Sequence, residues 1–303
     1  MKEYNILICS GGAAKGVSYI GVFKKLEEII KERKLAESDC NFNKELCSIP
    51  IININTICAV SVGSIFALIY LLGYTYIEML EEVLKTNFDT LKNIKIMNFV
   101  NKYGLDSGDL ITKWLESLMK KKNIDADITF NDFFKKTEVD FQVMATNLNK
   151  YCYKKFNYIN TPNVKIIDAI RMSISIPFIF TTNEYEGDLY VDGSIIDNYP
   201  IRLFENNLDK VLGFKLVSNG EMDEHLIDEK IDDIESFIYH VLSCYVVQKE
   251  KDTSRSEEFK KCTVYIHTEN ITQSINFSLT PVEKHKLINI GYNTTDKFFS
   301  NLL

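Results

Sequence analysis

The chain has 303 residues, of which 46% are hydrophobic, and this composition excludes an intrinsically disordered protein because it provides enough apolar material for a large core. The formal net charge of -7 argues against a nucleic-acid partner, since binding to phosphates needs clustered lysine and arginine. Seven cysteines without a C-x-x-C pair argue against a disulfide framework and indicate free thiols in a reducing compartment.

The chain opens with a predicted unit of strand, glycine-rich turn and helix. Residues 4–9 form a short apolar strand, and residues 17–34 carry apolar side chains at helical spacing. The turn between them reads SGGAAKG. Because the apolar run is too short and too soon followed by glycine for a secretory signal, we expect a cytoplasmic protein, with a peripheral position on membranes if it meets them.

A second unit of the same kind follows. Residues 49–58 are rich in isoleucine, as in a strand covered on both faces, and residues 57–73 contain no charge. Such a run permits two interpretations, a transmembrane helix or a buried strand that turns into a buried helix. Ser61, Gly63 and Ser64 interrupt the run where a turn would fall, which favours the buried strand and helix.

Residues 76–118 have a more polar, helical pattern. We expect about residues 76–135 to form a cap-like insertion, with one helix beginning at Ser107. The segment IKIMNFVNKYG mixes apolar residues with lysines, as in helices that rest on lipid headgroups. An ordinary helix that faces the core has the same composition, and both interpretations stay open.

Strand and helix patterns alternate through the rest of the chain. The predicted elements are a hairpin over residues 139–159 that turns near Asn149, a helix from residue 168 that stops at Pro177, a strand that ends at Asp192, a strand over 210–217, a charged helical stretch over 223–261, a strand over 263–269 and a helix over 281–299. Without repeats or a low-complexity linker, we predict one domain over residues 1–303, with its core at about 4–217 and a C-terminal extension at about 218–303. The alternation predicts an α/β three-layer sandwich, a mostly parallel central sheet flanked by helices.

Ser61 is the candidate nucleophile, in the sequence AVSVG. A nucleophile elbow, G-x-S-x-G, needs small residues two before and two after the serine so that strand and helix can approach each other. Ala59 and Gly63 fill those positions, and a helix start behind Ser61 would favour an alkoxide. A serine between small residues also occurs in plain helix packing, so the motif alone leaves both interpretations open.

The first turn can offer backbone amides to an anion. Its residues are Gly11, Gly12, Ala13, Ala14, Lys15 and Gly16. A P-loop is excluded because Val17 stands where its lysine must be, and a dinucleotide fingerprint is weakened because Ala13 replaces the middle glycine. A binding site for a transient oxyanion remains, beside the alternative of a tight turn that needs glycine for packing.

Asp192 is the candidate general base. The four histidines lie in the C-terminal third of the sequence, and none follows a predicted strand at a turn. Asp192, in YVDGS, follows a short strand, so we expect its carboxylate to emerge at a sheet edge. Asp-Gly is also a common turn dipeptide, which is the structural alternative.

Four blocks of this sequence, in order, resemble the patatin-like phospholipase family. They read GGAAKGVSYIGVFKKLEE, AVSVGS, AIRMSISIPFIF and YVDGSIIDNYP, and the resemblance extends over about residues 4–217. It implies a lipid acyl hydrolase with a Ser-Asp dyad and without a metal or other cofactor. By this resemblance Ser61 is the nucleophile, Asp192 is the general base and residues 11–16 form the oxyanion loop. The supporting small residues of the two turns are Ala59, Gly63 and Gly193.

The chain departs from the family pattern at three positions without losing a reacting group. Ala13 replaces a glycine of the oxyanion loop, Ala59 replaces the first glycine of the elbow, and Ser194 follows the Asp-Gly pair where glycine or alanine is common. An alanine at position 13 costs about 1 kcal/mol or more if its φ must be positive. We therefore expect activity, with an efficiency that depends on how the two turns accommodate Ala13 and Ala59.

The resemblance also implies the partners. The expected substrate is a phospholipid or another acyl-ester lipid, reached by transient contact with a membrane surface, and Lys15 is expected to attract a lipid phosphate. Two alternatives use the same turns: an acyltransferase with the same dyad, and a weakly active or inactive relative that binds lipid or protein.

Overall fold

The computed structural model describes residues 2–38, 49–217, 231, 234–268 and 279–301. Its strands are β1 (Glu3–Cys9), β2 (Ile51–Val60), β3 (Gly104–Asp106), β4 (Asp140–Asn147), β5 (Cys152–Phe156), β6 (Phe178–Phe180), β7 (Asn183–Tyr185), β8 (Asp188–Asp192), β9 (Val211–Val217) and β10 (Thr263–His267). Its α-helices are α1 (Tyr19–Ser38), α2 (Val62–Leu71), α3 (Tyr76–Lys85), α4 (Ile96–Lys102), α5 (Asp109–Lys121), α6 (Phe130–Thr137), α7 (Ile166–Ser173), α8 (Ser194–Asp197), α9 (Ile234–Arg255), α10 (Glu257–Lys260) and α11 (Pro281–Ser300). Short 3₁₀ helices cover Ala13–Ser18, Phe88–Leu91 and Ile201–Lys210.

A twisted central sheet runs in the order β10-β9-β1-β2-β4-β8-β7. The pairs from β10 to β4 are parallel, whereas β8 is antiparallel to both β4 and β7. The hairpin partner β5 pairs with β4, and β3 and β6 form a separate small sheet. The predicted mostly parallel sheet is confirmed, and so is the hairpin near Asn149.

Both faces of the sheet are covered, which gives the three-layer sandwich that the sequence predicts. Along β1, Leu7 and Cys9 point into the large core that also contains buried side chains of α1, α2, α7 and α11. Ile6 and Ile8 point to the opposite face, where Ile201 and the half-buried Phe204 pack against them. This alternation is what a strand produces when helices lie on both sides of its sheet.

The uncharged run over residues 57–73 is a buried strand and helix, as the sequence favoured. β2 ends at Val60, Ser61 makes the turn, and α2 buries Gly63 to Ile69 in the large core. No helix within the described part of the chain combines the length and the apolar character that crossing a bilayer requires.

The expected helix start at Ser107 is wrong. α5 begins at Asp109, and Gly108 precedes it with a φ of 71°. The carboxylate of Asp106 accepts the Gly108 amide at 2.7 Å, and the guanidinium of Arg171 donates to the Ser107 carbonyl at 2.6 Å. A side chain from another part of the chain therefore fixes the turn, and Ser107 does not cap the helix.

The helical pattern over residues 76–118 corresponds to α3, α4 and the start of α5, separated by the 3₁₀ helix Phe88–Leu91 and by β3. The helix that was expected to stop at Pro177 is shorter than predicted. α7 ends at Ser173, before Pro177, because the carbonyls of Ser173 and Ser175 accept the amides of Gly193 and Asp192. The late strand and the final helix are confirmed as β10 and α11, whereas most of residues 223–233 lie outside the described residues.

Candidate active site

The strand β4 brings two strand ends together. β2 is parallel to β4 and ends with Val60 opposite Met144, while β8 is antiparallel to β4 and ends with Asp192 opposite Ala145. β5 pairs with the same two residues of β4, so β2 and β8 must share its other side. The strands β2 and β8 thus meet almost end to end along one side of β4. Asp192 therefore lies inside the sheet, and the expectation of a position at a sheet edge is wrong.

Ser61 occupies a strained turn between β2 and α2. Its φ of 50° and ψ of -131° lie in a region that non-glycine residues rarely adopt. Gly63 makes this turn possible, because a Cβ atom there would lie 2.5 Å from the Cys9 carbonyl oxygen. Ala59, by contrast, is fully buried in β2, in register with Cys9 and Val143, so its methyl group fits.

The hydroxyl of Ser61 donates a hydrogen bond of 2.6 Å to Oδ2 of Asp192. Oδ1 of the same carboxylate accepts the Ser194 amide at 2.8 Å. Asp192 is only 1% exposed, and this burial raises its pKa from 3.8 to about 6, although its hydrogen bonds with Ser61 and Ser194 lower it. The carboxylate is thus a stronger base than an aspartate in water.

Ser173 was not singled out by the sequence, yet it connects three parts of the site. Its Oγ accepts the Ser61 amide at 2.9 Å and donates to the Met144 carbonyl at 2.6 Å. Its own carbonyl accepts the amide of Gly193 at 3.2 Å. Gly193 is close to β4, because a Cβ atom there would lie 2.4 Å from the Met144 oxygen. Ser173 lies in the block AIRMSISIPFIF, which carries part of the family resemblance, but nothing in that block indicates a role for this serine.

The glycine-rich turn lies beside Ser61. A Cβ atom on Gly11 would lie 2.9 Å from Cβ of Ser61, and the Gly11 amide donates to the Asn198 carbonyl at 3.3 Å. Within the described ranges, the amides of Gly12 and Ala13 have no hydrogen-bond acceptor. They lie at the N-terminus of the 3₁₀ helix that begins at Ala13, where unpaired amides attract negative charge.

The backbone conformation of Ala13 and the burial of the three residues that follow it also define this turn. Ala13 has a φ of 47°, the conformation that a glycine would adopt without strain. Ala14 and Gly16 are buried in the 3₁₀ helix. Lys15 is 4% exposed, which does not fit a cation that attracts phosphate at the surface.

The dyad opens on a cleft of about 570 Å³ that is open in part to solvent. Gly12, Ala13 and Ser61 line it on one side and residues 242, 243 and 246 of α9 on another. None of the histidines in the described ranges, His240, His267 and His285, lines this cleft, and His225 lies outside them. Among the described residues, the side chain that contacts the Ser61 hydroxyl as a possible base is therefore the carboxylate of Asp192 and not a histidine.

Comparison with known families and curated proteins identifies relatives of this chain by sequence. A sequence model described as patatin-like phospholipase matches residues 7–205. Uncharacterized protein R571 of Acanthamoeba polyphaga mimivirus is 28% identical over 256 residues, which cover 83% of this chain and 84% of that protein. "Probable lipid hydrolase 463L" of Invertebrate iridescent virus 6 is 33% identical over 205 residues, covering 66% of this chain and 63% of the viral protein.

Solved structures show the same fold at low sequence identity. VipD from Legionella pneumophila superposes with a TM-score of 0.56 and 17% identity, covering 98% of this chain and 67% of VipD. The type III effector ExoU of Pseudomonas aeruginosa superposes with a TM-score of 0.53 and 12% identity over 99% of this chain. The chain spans 53% of the length of ExoU, and at these identities the likeness concerns the fold alone.

Proposed function

This chain belongs to the patatin-like phospholipase family, and from that premise we propose that it is a lipid acyl hydrolase that cleaves fatty acyl esters of phospholipids. The observation that carries the proposal is the 2.6 Å hydrogen bond from the Ser61 hydroxyl to the buried carboxylate of Asp192. The name of the iridescent-virus relative, a lipid hydrolase, supports the same class of substrate.

In the proposed acylation step, Oγ of Ser61 attacks the ester carbonyl carbon while Asp192 accepts the hydroxyl proton. The ester C–O bond then breaks, and the leaving alcohol of the lyso-lipid takes the proton from Asp192. In deacylation, water gives a proton to Asp192, attacks the acyl-serine and releases the fatty acid, and the proton returns to Ser61.

The basicity of the carboxylate is the main difficulty of a dyad without histidine. An ordinary aspartate is almost fully ionised at neutral pH and a poor proton acceptor. Burial raises the pKa of Asp192 to about 6, which brings the base near the operating pH while leaving most molecules ionised at pH 7. The 2.6 Å contact places it within reach of the Ser61 proton.

The negative charge on the substrate oxygen needs donors that are in place before the reaction. The unpaired amides of Gly12 and Ala13, on the glycine-rich turn beside Ser61, are the proposed donors. Removal of one such donor costs about 3 to 4 kcal/mol in comparable sites. The other residues of the turn, Ala14, Lys15 and Gly16, are proposed to hold it in place from within the core.

We further propose that the protein meets its substrate at a membrane surface. α4 buries none of its residues, and Ile96, Met97 and Val100 are each at least 65% exposed. Phe178 of β6 contacts Phe99 of α4 with ring centroids 6.3 Å apart. Exposed apolar residues beside exposed lysines suit the interface of an anionic bilayer.

The strand that carries Phe178 also packs against α9, which lines the cleft. Ile179 and Phe180 of β6 pack with Ile238 of α9. α9 lines the cleft with Leu242 and Val246, and on its exposed side it carries three large apolar residues, Phe237, Val241 and Tyr245. A lipid held at this surface would therefore have a short path to Ser61.

The test uses the full chain and two single substitutions, Ser61→Ala and Asp192→Asn. We expect the wild type to release fatty acid from mixed phospholipid vesicles and to be labelled at Ser61 by a fluorophosphonate. Each variant is expected to lose at least about a thousandfold in kcat/KM, since the members of such a unit depend on each other. Ser38→Ala and Asp209→Asn, both at exposed positions, are the matched controls.

Labelling without lipid cleavage, but with acyl transfer to an added alcohol, would identify an acyltransferase. A wild type that is neither labelled nor active would contradict the proposal and favour a binding protein. Substantial turnover by Asp192→Asn would exclude the aspartate as the base.

A further inference from the structure

Ser194 stands beside Asp192 in the wall of the dyad cleft, and we infer that its hydroxyl holds the water molecule that deacylates Ser61 and thereby favours hydrolysis over acyl transfer. Ser194 is the first residue of α8, is partly buried and lines the cleft together with Ser61 and Asp192. It is also one of the three positions at which the chain departs from the family pattern. The inference rests on the proposed function, because it concerns the second half of the same reaction.

Ser194 approaches the carboxylate of Asp192 through the oxygen that Ser61 leaves free. Its amide donates a hydrogen bond of 2.8 Å to Oδ1, while the Ser61 hydroxyl donates to Oδ2. Its side chain acts on the same carboxylate: burial raises the pKa of Asp192, and hydrogen bonding by the side chains of Ser61 and Ser194 lowers it. The Ser194 hydroxyl is therefore close to the group that accepts the proton of the water.

Water needs two hydrogen-bond acceptors in the deacylation step, whereas an alcohol needs one. The water oxygen attacks the acyl carbon while Asp192 takes one proton, and the second hydrogen stays on that oxygen and needs an acceptor of its own. When the ester bond to Ser61 breaks, its Oγ takes the proton from Asp192, and the second hydrogen leaves with the fatty acid. Methanol brings a single hydroxyl hydrogen, which goes to Asp192. An acceptor for the second hydrogen therefore assists water and not methanol.

The cleft offers few side-chain acceptors besides the dyad. Asn198 has a carbonyl oxygen, but this Oδ1 is buried against Gly11, where a Cβ atom would lie 2.5 Å away. Among the described residues that line the cleft, the other side-chain acceptors are the hydroxyls of Ser194 and of Ser243 on α9. A hydroxyl can donate one hydrogen bond and still accept another. Of these two serines, Ser194 is the one bonded to Asp192, so its hydroxyl is the acceptor nearest to the base.

The test measures how the acyl-enzyme of the full chain divides between water and methanol. Nitrophenyl butyrate is the acyl donor at pH 8, where Asp192 is ionised, and gas chromatography measures butyric acid and methyl butyrate. Ser194→Ala is expected to raise the ratio of methyl butyrate to butyric acid at least about fivefold, because the water loses one hydrogen bond. Ser194→Thr keeps a hydroxyl and is expected to stay within about twofold of the wild-type ratio.

Ser243→Ala is the matched control, since Ser243 is a serine of the same cleft on its α9 side. It is expected to leave the ratio unchanged. Labelling of Ser61 by a fluorophosphonate consumes no water, so its rate in the three variants is expected to stay close to that of the wild type. This labelling shows whether the dyad itself is intact.

An unchanged ratio in Ser194→Ala, or an equal rise in Ser243→Ala, would overturn the inference. So would a loss of labelling in Ser194→Ala as large as its loss of butyric acid, because the substitution would then have distorted the dyad. A wild type that forms methyl butyrate but no butyric acid would also overturn it and would identify an acyltransferase. A wild type with neither turnover nor labelling contradicts the proposed function itself and removes the inference with it.

Discussion

The Ser61 hydroxyl and the Asp192 carboxylate lie 2.6 Å apart although 131 positions of the chain separate them. β4 is the element that makes this possible, because it pairs with β2 through Met144 and with β8 from Ala145 onward. Adjacent residues of one buried strand therefore fix both partners, and a shift of either strand by one residue would move its side chain to the other face of the sheet.

The raised pKa of Asp192 predicts the pH dependence of activity. If this carboxylate is the base, it must be ionised in the free enzyme, so kcat/KM should rise with pH and level off above an apparent pKa of about 6. Below that value the rate should fall about tenfold per pH unit. Hydrolysis of nitrophenyl butyrate between pH 4.5 and 8 measures the curve. A profile that is flat down to pH 5 would contradict the assignment.

The same burial predicts a pH-dependent cost in stability. Because the pKa of Asp192 is higher in the folded state than the ordinary 3.8, the folded protein binds more protons between pH 4 and 6. These extra bound protons stabilise the folded state at low pH. The free energy of unfolding therefore falls as pH rises through that window, by about 3 kcal/mol in total.

Asp192→Asn should remove this loss, since asparagine does not ionise. Urea unfolding at pH 4 and at pH 7 should show the variant gaining stability relative to wild type by about 2 kcal/mol between the two values, because the carboxyl of the unfolded chain is already more than half ionised at pH 4. Asp209→Asn, at an exposed position, should show no such relative gain. A constant difference between Asp192→Asn and wild type at both pH values would mean that the carboxylate is not buried as described.

Much of the site could be predicted because its signals are local. A serine between Ala59 and Gly63 after an apolar strand already indicates a tight turn, and an aspartate that ends a short strand is visible in YVDGS. The elements that carry them, β2, α2 and β8, are confirmed. The 3₁₀ helix that begins within the first glycine-rich turn, at Ala13, was not expected, because the same residues fit a turn that leads into an ordinary helix.

The rest depends on contacts between distant parts of the chain. Nothing in the sequence indicates that β8 runs antiparallel to β4, so the end-to-end meeting of β2 and β8 could not be predicted. Ser107 is not the helix cap because Gly108, with a φ of 71°, holds that position, and Arg171, far along the chain, helps to fix this turn by donating to the Ser107 carbonyl. The burial of Lys15 likewise follows from packing around the turn, whereas the spacing of residues would place a lysine at a helix start in solvent.

Ser173 is predicted to position the nucleophile. In Ser173→Ala the Ser61 amide and the Met144 carbonyl lose their partner inside the protein, which costs about 1 to 3 kcal/mol for each unsatisfied group. The strained turn should relax, so kcat should fall at least about tenfold while KM changes little. Steady-state kinetics and urea unfolding measure the two effects.

Ser64→Ala is the matched control for this change. Ser64 is also fully buried, and its hydroxyl donates to the Ser61 carbonyl. That carbonyl keeps the Ser64 amide as a donor, so the variant leaves no backbone group of Ser61 unsatisfied. If both alanine variants lose the same kcat, the effect comes from general packing and Ser173 has no specific positioning role.

The exposed apolar face of α4 predicts binding to membranes. Ile96 and Val100 are 77% and 66% exposed, one turn apart on this short helix. In the double variant Ile96→Ser, Val100→Ser, two apolar side chains that would enter the headgroup region become polar, so partitioning onto phosphatidylserine vesicles should fall at least about tenfold. Sedimentation with vesicles measures this, and Leu35→Ser on α1 should leave it unchanged, since Leu35 is 71% exposed without belonging to this surface.

Charge and apolar contact can be separated at the same surface. Lys95 and Lys102, both exposed, lie at the two ends of α4, so Lys95→Glu with Lys102→Glu should weaken binding to phosphatidylserine vesicles far more than to phosphatidylcholine vesicles. Added salt should reduce the lysine contribution and leave the apolar one, because screening acts on exposed charges over about 10 Å at 0.1 M.

Because the exposed residues of α9 lie beside the cleft, loss of vesicle binding should lower the cleavage of vesicle phospholipid while soluble esters are still cleaved. Equal loss on both substrates would show that α4 supports the fold of the active site and not its contact with lipid.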